Sequence, residues 1–389
     1  MFASRTRWDL EPNRLARALD ARRRAGLPVL DLTDSNPTRC GLAWPEEALR
    51  DALAGGTSSR YDPHPRGLPA AREAVAAHLC REGVDADAGR VVLTASTSEA
   101  YAFLFRLLAD PGDAVLVPRP SYPLFGYLAG LSDVRTVEYP LHCGDGGWRI
   151  DIDALKAAAG PDVRAVIVVN PNNPTGSTVD AGERRAILDL ARARGLAVIA
   201  DEVFAAYPFR DAAAPARLSG AMEALSFGLG GLSKDAGLPQ LKLSWILANG
   251  PEDRVCEALA RLDVIADTYL SVGTPVQLAL PALLARSGAV RDAIRARVRA
   301  NRRAAEALAA AAGRGLRVLP ADGGWAAVLA SEAPCDDEAW ALALLERDGV
   351  LVHPGHFYDF DEEGRLVVSL LVPPATLETG IRCIAARAD

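Results

Sequence analysis

The stretch Leu196-Ala197-Val198-Ile199-Ala200-Asp201-Glu202 decides the fold. An apolar run this short, with β-branched residues at its centre, predicts a strand covered on both faces, as in a parallel sheet held between layers of helix. The two acids that end it then stand at the carboxyl edge of a sheet, where open α/β folds bind their ligands. Working outward, Val91-Val92-Leu93-Thr94, Ala114-Val115-Leu116-Val117, Val163 to Val169, Leu225 to Gly228 and Leu243 to Ala248 read as further strands. Ser98 to Ala109 and Ala181 to Ala193 read as helices between them. This alternation predicts an α/β domain over residues 46–275, with a mostly parallel central sheet covered by helices. The pattern then changes. An Ala/Arg-rich helical stretch, Val276 to Gly313, contains Pro281 and Gly288 and is expected to break or kink there. Strand candidates follow at Leu316 to Leu319, Trp325 to Ala330, Val350 to Val352 and Leu366 to Leu371, with helices near Asp337 to Arg347 and Ala375 to Ala386. Residues 276–389, joined by 1–45, are expected to form a smaller α+β domain.

The chain has 389 residues, half of them apolar and 24% charged, and its length exceeds the roughly 250–300 residues at which single cores stop growing. A net charge of −7, with no basic cluster interleaved with aromatics, argues against nucleic acid as a partner. No run approaches the ~20 apolar residues that span a bilayer, so no membrane association is expected. The amino terminus, Met1 to Asp9, carries charge where an export signal would be apolar. The six cysteines lie far apart with no C-x-x-C pair, which predicts reduced thiols in the cytoplasm and no metal centre.

Of 43 basic residues only three are lysines: Lys156, Lys234 and Lys242. Arginine serves wherever charge alone is needed, so a retained lysine draws attention to its amine, which can lose a proton and attack a carbonyl. Lys156 falls on an expected surface helix, Asp151 to Ala159. Lys234 follows the glycine-rich run Gly228-Leu229-Gly230-Gly231-Leu232-Ser233, read as a turn, and Lys242 leads into the next strand. Polar groups past the other strands complete a set. Ser96, Thr97 and Ser98 open a helix whose free amides can cradle an anion. Asn170-Pro171-Asn172-Asn173-Pro174-Thr175-Gly176 is a stiff turn with three amide side chains. Asp201 is a carboxylate that needs a cation if buried. An anion cradle, an amide turn, a carboxylate and two lysines suit the phosphate, phenolic oxygen, pyridine nitrogen and aldehyde of pyridoxal phosphate.

In this order the motifs resemble those of the class I aminotransferases, within the fold-type I pyridoxal-phosphate enzymes. The resemblance implies that fold, and it implies transfer of an amino group between an L-amino acid and a 2-oxo acid by a ping-pong mechanism. Asn173-Pro174-Thr175-Gly176 matches the family's N-P-T-G turn, which places Asn173 on the phenolic oxygen. Asp201 matches the aspartate at the pyridine nitrogen, and Lys234, after Ser233, the Schiff-base lysine. By the same resemblance Lys242 faces the phosphate together with Ser96, Thr97 and Ser98, and Tyr122 stacks on the ring. Tyr61 matches a tyrosine that reaches the neighbouring subunit's phosphate, which implies a homodimer. Ser35 and Asn36, in Asp31-Leu32-Thr33-Asp34-Ser35-Asn36-Pro37-Thr38, fall in the segment covering the substrate.

Two positions depart from the pattern. Phe204 stands where the family commonly has a tyrosine that donates to the phenolic oxygen, so a raised imine pKa is expected; Tyr207 is a poorly spaced substitute. In Arg365-Leu366-Val367-Val368-Ser369, the arginine that clamps the substrate carboxylate is matched by Val367, and Arg365 reaches that place only with a small shift. Both departures keep open a lyase, oxidase or cyclase using the same cofactor. A pyridoxal-binding regulator is disfavoured, because 45 residues before the core cannot supply a DNA-binding domain. His353-Pro354-Gly355-His356-Phe357-Tyr358 reads as a loop entering the site rather than a metal pair, with Phe357 and Tyr358 shaping the pocket.

Overall fold

The computed structural model describes residues 1–55, 58–210, 216–313, 315–332 and 335–388. A short strand, β1 (Leu30–Asp31), precedes the main sheet of β2 (Val91–Thr94), β3 (Ala114–Arg119), β4 (Arg135–Gly144), β5 (Gly147–Ile150), β6 (Val163–Val169), β7 (Ala197–Asp201), β8 (Ser226–Gly231) and β9 (Ser244–Asn249). Five strands follow: β10 (Leu316–Val318), β11 (Ala326–Ser331), β12 (Val350–Leu351), β13 (His353–Pro354) and β14 (Arg365–Ser369). The main sheet runs β2-β9-β8-β7-β6-β3-β4-β5. Pairing is parallel from β8 through β7, β6 and β3 to β4, and antiparallel where β9 meets β8 and β2 and where β5 meets β4.

Strand alternation explains why the central strands are apolar throughout. In β7, Ala197 and Ile199 enter one core while Val198 and Ala200 enter the other, and β6 divides Ala165, Ile167 and Val169 from Val166 and Val168 in the same way. Helices Thr97–Leu108 and Glu252–Tyr269 cover the first face through Phe103, Leu104, Leu259 and Leu262. Helix Ala181–Arg194 covers the second through Ile187 and Leu188, and Val328 of β11 and Val367 of β14 join that core. The helix Ala181–Arg194 starts on a reciprocal capping box between Asp180 and Glu183 and stops at Gly195, whose φ of 68° suits a left-handed cap.

The smaller sheet, β10-β11-β14-β13, is antiparallel, and β1 pairs with β12. The helical stretch expected to break does so at Ser287, giving helices Thr274–Arg286, which keeps Pro281 inside it, and Gly288–Ala312. The first packs on helices Glu46–Ala54 and Pro69–Arg81, the second on helix Pro374–Ala385 and β10. The reading of Gly228 to Lys234 as a turn needs correction. Gly228, Gly230 and Gly231 lie within β8, and Lys234 sits on the short helix Leu232–Asp235. Glycine is required there by close approach, since a Cβ at Gly228 would overlap Ser219, one at Gly230 the indole of Trp245, and one at Gly231 the hydroxyl of Ser244.

Ile199, fully buried at the centre of β7, reports on the sheet. Ile199→Ala is expected to cost about 2–5 kcal/mol, read as a lower midpoint of denaturant unfolding; an unchanged midpoint would contradict this packing.

Candidate active site

A cavity of about 370 Å³ opens at the carboxyl ends of the central strands and is closed by the smaller sheet. Pairing brings these ends level: Val169 of β6 faces Asp201 of β7, which faces Leu229 of β8. The larger layer contributes Asp201, Lys234, Asn173 and the start of helix Thr97–Leu108, while the smaller contributes Trp325, His353, Val367 and Ser369.

Asp201 is buried, and its hydrogen-bond donors are neutral. Tyr101 Oη donates to its Oδ2 at 2.9 Å and the Val203 amide to Oδ1 at 3.3 Å. Burial dominates these bonds and pushes its pKa up to about 6. Glu202, also buried, is satisfied elsewhere, by Arg217 at 2.9 Å and the Leu218 amide at 2.9 Å, so Asp201 alone of the two acids faces the cavity. The Lys234 amine lies 4.7 Å from the Trp325 ring centroid and 5.6 Å from that of Phe204. Burial lowers its pKa to about 8, against the opposing pull of Asp201. An amine and a carboxylate thus share one cavity, each without a close counter-ion.

The amide turn resolves into one outward and two inward side chains. Asn170 accepts from the Val179 amide and donates to the Ala216 carbonyl; Asn172 accepts from Ser121 Oγ and donates to the Pro120 carbonyl and Thr175 Oγ1. Asn173 is left to line the cavity. At the helix start, Ser96 caps by accepting from the Glu99 amide at 3.1 Å, and Thr97 and Ser98 line the cavity beside it.

Other sequence-predicted residues divide. Ser35, Ser96, Tyr122 and Ser233 line the cavity. Asn36 does not: its Oδ1 closes a local turn by accepting from the amide and hydroxyl of Thr38. Lys242 is exposed beside the cavity-lining Ser244, with a φ of 50°. Tyr61 is 72% exposed and borders a separate groove with Phe103 and Leu270. Arg365 does not line the cavity: its Nη1 donates to the carbonyls of Glu363 and Gly364, and β14 contributes Val367, Val368 and Ser369 instead. Phe204 and Tyr358 line the cavity; Phe357 does not, and Tyr207 is fully buried with its hydroxyl donating to the Lys234 carbonyl at 2.5 Å. Tyr207 therefore braces the lysine's backbone and is no substitute donor inside the cavity.

Sequence reading missed Tyr101 and Trp325. Tyr101 was findable, since it stands four residues after Thr97 and so on the same helix face. Nothing local marked Trp325.

A model of the class I and II aminotransferases matches residues 30–384. The chain is 30% identical to the glutamate-pyruvate aminotransferase AlaA of Haemophilus influenzae over 260 residues, which are 67% of this chain and 64% of that protein, so the match spans less than two thirds of the relative. Among solved structures, the N-succinyldiaminopimelate aminotransferase of Mycobacterium tuberculosis superposes with a TM-score of 0.82 at 27% identity, covering 99% of this chain and 100% of that one. The alanine aminotransferase of Pyrococcus furiosus gives 0.88 at 24% identity, covering 96% and 95%, and shares the fold.

The raised pKa of Asp201 makes a prediction for the protein without ligand. The folded state holds the carboxyl proton up to about pH 6, whereas an unfolded aspartate loses it near pH 4, so stability falls as pH rises across that window. Asp201→Asn removes this loss and is expected to gain about 1–3 kcal/mol over the parent above pH 6, with the gap closing toward pH 4. Urea unfolding at several pH values measures it.

Proposed function

This chain belongs to the class I and II aminotransferase family, and we propose that it moves an amino group between an L-amino acid and a 2-oxo acid, with pyridoxal phosphate as cofactor, by a ping-pong mechanism. The observation that carries the reading is the buried pair of unmet charges, Asp201 and Lys234, facing one cavity. A carboxylate with neutral donors alone fits a protonated ring nitrogen, and a buried amine of lowered pKa fits an aldehyde.

When bound, pyridoxal phosphate supplies an aldehyde that condenses with amines and a ring that withdraws electrons from the substrate's α-carbon. Asp201 keeps the ring nitrogen protonated, and Tyr101 holds that carboxylate in place. Asn173 donates its side-chain amide to the phenolic oxygen. Thr97 and Ser98, with the free amides that begin helix Thr97–Leu108, hold the phosphate, and Ser96 fixes that helix end. Ser233 adds a hydroxyl beside them, and Lys242 a cation close by. Tyr122, on the cavity wall, would cover the ring. The Lys234 amine would hold the aldehyde and would carry a proton at the substrate α-carbon; a pKa near 8 suits a base at neutral pH. Phe204 and Trp325 surround the amine with apolar ring faces and exclude water from it. Ser35, Thr33 and the smaller sheet cover the substrate side.

Residues 46–275 form the cofactor-binding unit in this reading, and 1–45 with 276–389 the unit that closes on the substrate. The working form is a homodimer in the cytoplasm. Exposed Tyr61, Val264, Tyr269 and Leu270 support the dimer, because they offer apolar surface that a second copy would cover, with Tyr61 reaching the neighbouring site. The described cysteines are unpaired, in keeping with a reducing compartment. Among the described residues no helix is long and apolar enough to cross a membrane.

Two measurements test the reading. Purified protein with pyridoxal phosphate is expected to show a yellow imine absorbance that Lys234→Ala abolishes; retention of that absorbance with full activity would overturn the assignment of the lysine. An amino acid added alone is expected to bleach the colour and yield its 2-oxo acid in one equivalent, and a second 2-oxo acid to restore it. Release of ammonia with the colour unchanged would mean elimination or oxidation instead.

A further inference from the structure

A substrate that carries a carboxylate must find a partner for it when drawn from water into the cavity, since an unpaired buried anion is costly. Among the described residues no arginine lines the cavity, and its lining bases are Lys234 and His353. Lys234 is committed to the cofactor in the reading above. On β14 the lining residues are Val367, Val368 and Ser369, with no charge among them.

His353 stands where that charge is missing. It is the Cα partner of Val367 in the antiparallel β13–β14 pair, so the two side chains share one face of the sheet, and both line the cavity. One ring nitrogen, Nδ1, lies 3.0 Å from Tyr358 Oη, which fixes the ring and leaves Nε2 for another partner. Tyr358 is itself held neutral, its phenol pushed up to about 12 by burial. We propose that His353 receives the substrate carboxylate, as an imidazolium, across the position that Val367 leaves apolar. This rests on the aminotransfer reading for the substrate's chemistry, though not for the geometry of the histidine.

The proposal makes binding proton-coupled. Burial holds the imidazole's pKa below its ordinary value and Asp31, on β1, opposes it. Facing His353 from its own loop are the neutral Tyr358 and the Phe357 ring, and from β14 the apolar Val367. Elsewhere on the cavity wall stand Asp201, Lys234, Tyr101 and Tyr122, whereas His356 packs on Phe357 outside it. The free site is therefore uncharged at His353 near neutral pH and takes up a proton with the carboxylate, so affinity falls as pH rises.

The test uses cofactor-loaded protein and 3-phenylpropanoate, a carboxylate with no amine, titrated calorimetrically between about pH 6 and pH 8.5. The dissociation constant of the parent is expected to rise about tenfold per pH unit above neutrality. His353→Gln is expected to weaken binding about tenfold at pH 6 and to flatten the slope. Adding Val367→Arg to His353→Gln is expected to restore binding without pH dependence, a rescue that a merely structural histidine would not allow. In the amino-acid half-reaction, His353→Gln is expected to raise the half-saturating concentration far more than it lowers the limiting rate. A parent dissociation constant independent of pH, or parental affinity and slope in His353→Gln, would overturn the proposal. If no common amino acid bleaches the parent, the aminotransfer reading falls, and the 3-phenylpropanoate titrations still decide the role of His353.

Discussion

The constraint on which the site depends is the burial of Asp201 without a cation. A carboxylate at the end of a covered strand would ordinarily be neutralised by a nearby arginine, and the chain supplies one to the adjacent Glu202 through Arg217. Asp201 receives a phenol and an amide instead. Keeping it available requires the parallel pairing of β6, β7 and β8, which sets three strand ends level and aims Asn173, Asp201 and Lys234 into one space. It also requires the glycines of β8, which let that strand lie against Ser219, Trp245 and Ser244 without side chains of its own. Tyr207 then anchors the lysine's backbone from below.

The cavity is shared between two layers with different tasks. The central strands β6, β7 and β8 are almost wholly buried, and Asp201 and Ser96 at the cavity have defined hydrogen-bond partners, as expected of groups that must hold a cofactor in one pose. The wall from the smaller sheet carries aromatic and neutral polar groups, Trp325, Tyr358, His353 and Ser369, none of which resembles a rigid charge clamp. In the proposed reading the larger sheet supplies the groups for chemistry and the smaller sheet the wall that meets the substrate.

Much of this was legible in the sequence, for physical reasons that differ by element. β6 and β7 announce themselves because both faces are buried, so no polar residue interrupts them. β4, at the side of the sheet and partly exposed, carries mixed residues and Pro140, and gave no such signal. The glycines of β8 imitate a turn, since local sequence does not record the approach of Trp245 and Ser244. Asn173 was identified by motif, while the reason it alone of three asparagines is free lies in long-range bonds to Pro120, Val179 and Ala216. Arg365 was misplaced by strand alternation: Val367 and Ser369 do line the cavity, but Arg365 begins the strand, where nearby carbonyls capture its guanidinium. Tyr101 and Trp325 matter through tertiary contact alone.

The unmet charges at Asp201 and Lys234 also link this protein's lifetime to supply. Any ligand that binds the folded chain and not the unfolded one raises its stability in proportion to the logarithm of ligand concentration. Here the ligand would additionally repair an electrostatic fault already present in the fold. A bound cofactor would thus stabilise the fold as well as serve the reaction, and the chain without it would be more open to proteolysis.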